Sequence, residues 1–329
     1  MSPHPPPDIV VIGGSNMDLH ARAHEQVVMG SSMSGSAGLS PGGVGRNVAE
    51  NLARLGDAVA LVSVVGDDPI GDEVISYTED VGVDCTYVRR RADVRTGTYN
   101  AVLDSSGELV VAVADMAATD EFSPLVVEAA RDLIKNARGV LVEGNIPVRT
   151  AEVAIDLAHE FDVPVGFDPV SVSKARRARD LIRADRELYL VTPNQAELAA
   201  LTDLPAGTDA EIEKAVHALH DRGVGVVWVR LGARGSVISY NDVYQELSAV
   251  PTDVVDVTGA GDAMLAAFTH ELLRDVDLVE AARFGHAAAA LTCGTHDTVR
   301  MDLNESLVRD CAGGRAAGDP VRAIPEELA

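Results

Sequence analysis

The sequence predicts an α/β protein, with a mostly parallel central sheet covered by helices on both faces. Three observations carry that reading. Short, β-branched, continuously apolar runs recur along the 329 residues. Stretches with helical apolar spacing separate them. The two kinds of segment alternate, as they do where crossover helices return the chain to a parallel sheet.

In chain order, residues 8–12 (DIVVI) read as a buried strand ending at Gly13-Gly14. Residues 47–55 carry apolar side chains at 48, 49, 52, 53 and 55, a helix stopped by Gly56. Residues 59–65 are another apolar strand. Further strands are expected at 138–143, 163–167, 188–191 and 225–231, with helices at about 123–136, 149–161, 193–202 and 209–222. Two stretches break the alternation. Residues 18–37 are polar and rich in Gly, Ser and Met, and residues 96–115 form a hairpin turning between Asp104 and Gly107. These excursions are expected to make a small antiparallel sheet attached to the α/β body. No internal repeat or low-complexity linker divides the chain, so 1–329 reads as one domain. Its end, 313–329, is rich in Gly, Pro and charge and reads as loosely held.

Apolar residues make up 47% and charged residues 24%, ordinary values for a soluble globular protein. No run of 18 apolar residues offers a membrane span. Residues 1–7 are Pro-rich without a basic-then-apolar signal pattern, so they read as a frayed terminus. Cys85, Cys293 and Cys311 lack metal-ligand spacing, and a reducing cytoplasm is the simple expectation. The net charge of −24, with only three lysines (Lys135, Lys174 and Lys214), argues against non-specific binding to nucleic acid or to anionic membranes. It suits either a high-salt cytoplasm or a plain Ala- and Arg-rich bias.

Four segments carry chemistry. Asp256-Val257-Thr258-Gly259-Ala260-Gly261-Asp262 precedes an apolar helix. Small residues at a helix start expose N–H donors, an anion site fit for a phosphoryl group in flight. Asp262 can then accept the proton of an attacking hydroxyl; the alternative is a tight turn in which Asp262 complements the helix dipole. In Thr192-Pro193-Asn194-Gln195-Ala196-Glu197, Thr192 reads as an N-cap and Pro193 as the first helical residue. Asn194 and Glu197 then share a face and can organise magnesium, or simply begin a helix. Pro41-Gly42-Gly43-Val44-Gly45-Arg46-Asn47 brings backbone amides toward a ligand, with Asn47 able to pair vicinal hydroxyls. Arg46 there is either a ligand group or a solvated surface charge. Gly14-Ser15-Asn16-Met17-Asp18 lies at the carboxyl end of the first strand, where ligands collect in open α/β sheets. Asp18 can accept hydroxyl hydrogens there, or close an Asx turn.

In this order, over about residues 8–300, these segments resemble the ribokinase-like, phosphofructokinase-B type family of carbohydrate and nucleoside kinases. The resemblance implies ATP, Mg2+, a hydroxymethyl acceptor and a β-sheet lid formed by the two excursions. Lids of this family pair between subunits, so a homodimer is implied. Asp262 matches the catalytic base, and Gly259, Ala260 and Gly261 the anion hole. Asn194 and Glu197 match the phosphate and magnesium positions. Asn16, Asp18, Gly42, Gly43 and Asn47 match sugar contacts, and Glu143 an acid near the metal and phosphates. Asp256 matches a carboxylate of a K+ site, and Thr258 and Gly232 nucleotide positions. Arg230 departs from the pattern, standing where a Thr-Leu-Gly version has threonine. Segments 41–47, 108–116 and 168–174 further resemble family members that take nucleosides and imply pseudouridine as acceptor. Lys174 is there expected to meet an anionic phosphate. Thr98 and Asn100, on one alternating face of the second excursion, are the expected base-selecting residues.

Overall fold

The computed structural model describes residues 7–313 and 321–323. Its strands are β1 (Ile9–Ile12), β2 (Asn16–Ala23), β3 (Gly35–Gly42), β4 (Val59–Gly66), β5 (Val88–Arg91), β6 (Gly97–Leu103), β7 (Leu109–Asp115), β8 (Gly139–Glu143), β9 (Val165–Asp168), β10 (Leu188–Val191), β11 (Val224–Arg230), β12 (Ser236–Tyr240), β13 (Val243–Leu247) and β14 (Val321–Ala323). Ten of them form one sheet, in the order β14-β13-β12-β11-β10-β9-β8-β1-β4-β5. Neighbours from β5 to β11 are parallel, and β12 to β14 finish one edge antiparallel.

Strand β1 shows how this sheet is buried on both sides. Val10 and Ile12 pack with Ala60 and Val62 of β4 into one core layer, and Ile9 and Val11 join Val59 and Leu61 in the other. A period of two on a continuously apolar strand feeds both layers. Helices Val148–Glu160 and Asp209–His220 cover the first layer, while Val44–Leu55 and Ala260–Leu272 cover the second. The chain runs outward from β1 to β4 and β5, then restarts on the other side at β8. That reversal beside β1 is a topological switch point, and a crevice opens there at the carboxyl ends of the strands.

The two excursions form a four-stranded sheet, β3-β2-β6-β7. Each hairpin is antiparallel, but β2 and β6 meet in parallel because each enters from the carboxyl end of a main-sheet strand. Asp104 makes the second turn by accepting from the N–H groups of Ser106 and Glu108.

Some elements escape the sequence pattern. The helix expected at 123–136 breaks at Ala130 into Pro124–Ala129 and Arg131–Asn136. Edge strand β5 is mostly arginine, which hides it from an apolar search. Helix Leu278–Cys293 is so uniformly Ala-rich that its periodicity is weak. Within the tail expected to be loose, β14 pairs with β13; the rest of 314–329 and the frayed start at 1–6 lie outside the described residues.

Candidate active site

The crevice is a cleft of about 470 Å³ between the carboxyl edge of the main sheet and the small sheet. Its walls bring together residues far apart in sequence, among them Asn16, Asp18, Gly43, Asn47, Lys174 and Asp262. Thr258 and Gly259 lie at the same wall as Asp262.

Helix Ala260–Leu272 begins at one wall of the cleft. Gly259 caps it with φ 76°, and a Cβ there would lie 1.8 Å from the Thr298 carbonyl oxygen, so only glycine serves. Asp262 stands in the first turn, its Oδ2 accepting from Asn47 Nδ2 at 2.8 Å. Burial pushes its carboxyl up to about 7. The Asp168 and Glu143 charges act the same way, and the Asn47 hydrogen bond and the Arg230 charge oppose them. A carboxyl poised near neutrality suits proton acceptance better than an ordinary aspartate.

Asn47 belongs to helix Val44–Leu55. Gly43 caps this helix at φ 97°, and a Cβ there would lie 2.5 Å from the Gly14 carbonyl. Arg46 is 1% exposed, which overturns the surface-charge alternative. Asp18, on β2, accepts from Asn16 Nδ2 at 2.6 Å, and burial raises its pKa. Gly42 abuts it, since a Cβ there would lie 2.2 Å from Asp18 Oδ2. Glu143 ends β8 beneath the first-strand turn, accepting from Gly14 N at 2.6 Å and Asn145 N at 2.9 Å. Burial pushes its carboxyl up to about 7 against those bonds and the nearby Lys174.

Arg230, at the end of β11, departs most from the expected pattern. Its guanidinium pairs with Asp168 at 3.0 Å and Glu197 at 3.5 Å. It also lies against the anion loop, where a Cβ on Gly261 would be 2.8 Å from Nη1. A fixed cation thus faces the amides at the helix start. Gly232, two residues on, has φ 60° and open space around it.

Two expectations need correction. The middle helix begins at Gln195, with Asn194 rather than Thr192 as N-cap. Asn194 Oδ1 accepts from Glu197 N at 2.9 Å, and Glu197 Oε2 accepts from Asn194 N at 2.8 Å, a reciprocal capping box. Thr192 instead donates to Asp168 at 3.1 Å. Thr98 and Asn100 turn away from the cleft, because β6 alternates and Tyr99 occupies the cleft face. Asn100 Nδ2 donates to Thr98 Oγ1 at 3.0 Å on the far side. Lys174 donates to Asn145 Oδ1 and lines the same cleft as Thr258 and Gly259. Asp256 Oδ1 accepts from Thr258 N at 2.8 Å as the loop begins.

Tyr99, Asn145 and Asp168 were not singled out from sequence. Asp168 ends a parallel strand, and that position alone marks it. Tyr99 carries no such signal, since alternation shows which residues share a face and not which face meets the ligand.

Most of the chain is similar to known kinases. The pfkB family carbohydrate kinase profile matches residues 6–304. Pseudouridine kinase of Escherichia coli is 30% identical over 302 residues, covering 90% of this chain and 93% of that one. Ribokinase of Bacillus subtilis is 29% identical over 322 residues, covering 98% and 99%. Arabidopsis thaliana ribokinase, solved with ribose and ATP, superposes with a TM-score of 0.80 at 26% identity, covering 93% and 98%. The chain belongs to the pfkB family of carbohydrate kinases and is an ATP-dependent kinase that phosphorylates an alcohol group.

Proposed function

We propose that this kinase phosphorylates the 5′-hydroxyl of a nucleoside, with pseudouridine the preferred acceptor. The carrying observation is the placement of Asp262 in the cleft wall, with the anion loop on one side and Asn47 and Asp18 on the other. Asp262 takes the hydroxyl proton as that oxygen attacks the γ-phosphorus of ATP; the bond to the β–γ bridging oxygen breaks and ADP leaves. The amides at Gly259 and Gly261, with the Arg230 guanidinium, meet the charge on the transferring group, while the Ala260 N–H donates to the Val257 carbonyl at 3.3 Å. Asp18, Asn16 and Asn47 hold the ribose, and the small sheet acts as a lid that excludes water.

Two cations fit this donor set. Glu197 Oε1 is free of the capping box, so Glu197 would hold Mg2+ through water beside the ATP phosphates, with Asn194 adjoining. The ion supplies charge neutralisation to those phosphates. Asp256 Oδ2 makes no hydrogen bond among the described residues and would hold K+ with loop carbonyls.

Acceptor choice rests on the far end of the cleft. Asn145, Lys174 and Tyr99 line the cleft beyond the residues assigned to the ribose, and in this reading they meet the base. Pseudouridine offers one N–H more than uridine, and Asp120 and Asn145 carry acceptor oxygens at that end. The ribokinase relatives favour free ribose as a second reading. An idle sugar-binding protein is disfavoured by the intact Asp262 and its glycines. The outer face of the lid exposes Leu39, Val111 and Val113, a surface suited to a second copy of the chain in a homodimer. We place the enzyme in the cytoplasm, with its ATP; no helix among the described residues is long and apolar enough to cross a membrane.

The test is kcat/KM for pseudouridine, uridine, adenosine and ribose at fixed ATP. Pseudouridine should lead. Equal or better turnover of uridine or adenosine overturns the acceptor assignment, and a lead by ribose favours the second reading.

A further inference from the structure

A chain of buried polar groups reaches Asp262 from behind. Arg46 is 1% exposed and among the largest fully buried side chains of the described residues. Its guanidinium pairs with Glu50, also 1% exposed, and donates from Nη2 to Asn47 Oδ1 at 2.5 Å. Glu50 is held in turn by Arg54, Nε to Oε1 at 2.8 Å. The other end of the Asn47 amide donates to Asp262 at 2.8 Å, and Asn47 is the one hydrogen-bond partner of the Asp262 carboxylate among the described residues.

The arrangement removes an ambiguity that an asparagine otherwise has. An amide carries an acceptor at one end and a donor at the other, and a half-turn exchanges them. Turned the wrong way, Asn47 would present its oxygen to the Asp262 carboxylate. Guanidinium has only donors, so Arg46 accepts one orientation alone and forces the NH2 group toward Asp262. Burial strengthens the selection, because hydrogen bonds polarise one another in a low dielectric. Burying an ion pair such as Arg46–Glu50 is weak evidence for stability, since apolar replacements are often as stable. Specific orientation is what this pair supplies.

We propose that Arg46 is a positioning residue for phosphoryl transfer, locking the Asn47 amide so that Asn47 holds the Asp262 carboxylate aimed at the acceptor hydroxyl. The proposal rests on the reading of Asp262 as the base. Asp262 is also faced by Asp168 and Glu143 from the ends of β9 and β8 and by Arg230 from β11, and these remain in every variant used below.

A double-mutant cycle tests it. Arg46→Met, Asn47→Ala and the pair are assayed for kcat, for KM of the acceptor and for MgATP binding. Small misplacements of a reacting group are costly, so Arg46→Met should lower kcat roughly 10- to 100-fold while MgATP binding holds. Because Arg46 acts through Asn47, the pair should lose no more kcat than Asn47→Ala alone. Arg46→Lys should recover only part of the loss, since one ammonium cannot serve Glu50 and Asn47 in the forked geometry. If Arg46→Met fails to fold, Arg46→Met with Glu50→Leu removes both buried charges and replaces it in the cycle. A purely structural role predicts additive losses, or a fall in thermal midpoint with kcat intact, and either overturns the proposal. Independence of the two readings is checked with Asp262→Asn. If that variant is inactive while the cycle is additive, the base stands and the lock fails; if it retains turnover, the base itself fails.

Discussion

At the proposed reactive end of the cleft, Asp262, Asn47 and Arg230 are already engaged. Asp262 is bonded to Asn47, Asn47 to Arg46, and Arg230 to Asp168 and Glu197. At the acceptor end, the side-chain polar ends of Tyr99, Asp120 and Arg177 make no hydrogen bond among the described residues, though all three line the cleft. Asp262 and Asn47 stand on two long helices and Asp168 and Arg230 at main-sheet strand ends, whereas Tyr99 stands on the small sheet and Asp120 and Arg177 on the short helices Ala117–Asp120 and Val172–Ala178. Transfer chemistry is the same for every acceptor and gains from fixed dipoles. Selection needs groups whose partners arrive with the substrate, because an unmatched polar group rejects the wrong one. On the proposed assignment, the side chains are partnered where the kinase reacts and left open where it chooses.

Breaking the reactive end should give the largest effect. Asp262→Asn is expected to cut turnover by roughly 10²–10⁴-fold, the usual worth of a positioned base. Turnover of the parent should itself fall as pH drops below about 7, where Asp262 takes up its proton. The same carboxyl sets a stability trend. A folded pKa raised above the unfolded value contributes stability that is complete below the unfolded pKa and is lost as pH rises through the folded one. Between pH 5 and 8, about the window set by the raised Asp262 carboxyl, the parent's urea midpoint should fall more than that of Asp262→Asn. Parallel midpoints would show that the carboxylate is not held in a desolvated site.

This end was also the more legible in sequence. Glycines before a helix, an acid after them and an asparagine in a Gly-Gly segment are local patterns, and the structure brings Asp262, Asn47 and Asp18 to one cleft. Most main-sheet strands were legible for the same reason: burial on both faces leaves an unbroken apolar run, as in β1 and β4. What sequence could not supply was long-range. Arg230 and Asp168 are 62 residues apart and meet only because β9, β10 and β11 are successive neighbours. Glu50 stands four residues from Arg46 on the same helix, but nothing local shows that the pair is buried, since only the fold supplies the packing that covers it. The choice between Tyr99 and its neighbours depended on which face of β6 turns inward, and that is fixed by pairing with β2, where Asp18 stands beside Tyr99.

Arg230 allows the contrast to be sharpened. Removing it strands two buried carboxylates, Asp168 and Glu197, at 4% and 2% side-chain exposure. Breaking such a pair costs about 3 kcal/mol, so Arg230→Met should lower the urea midpoint strongly. It should also raise KM for ATP more than KM for the nucleoside, because the guanidinium faces the anion loop rather than the acceptor end. A variant that loses nucleoside affinity first would put Arg230 at the wrong end of the cleft.

Potassium gives a smaller effect at the same end. With Asp256 ordering the approach to the anion loop, replacing K+ by tetramethylammonium at equal ionic strength should lower kcat several-fold and leave the thermal midpoint almost unchanged. Equal rates in the two salts would remove the cation from the site.

The smallest expected effect tests the acceptor end, and it does so through strand alternation. Tyr99 and Asn100 are adjacent on β6, yet Tyr99 faces the cleft and Asn100 the far side, where it bonds Thr98. A nucleobase stacked on the Tyr99 ring gains about 1 kcal/mol, so Tyr99→Ala should raise the nucleoside KM roughly fivefold. KM for ATP should not change, since Tyr99 is on the small sheet and the anion loop is on the main body. Asn100, half-buried on the face away from the cleft, should alter stability and kinetics by no more than about 0.5 kcal/mol when replaced by Ala, as surface substitutions do. Free ribose, which has no base to stack, should be used equally well by the parent and by Tyr99→Ala. An Asn100→Ala variant that loses nucleoside affinity while Tyr99→Ala keeps it would mean that the small sheet presents its other face to the substrate. A Tyr99→Ala loss of equal size for ribose would mean that the ring holds the sugar and that selection of the base lies with Asn145 and Lys174.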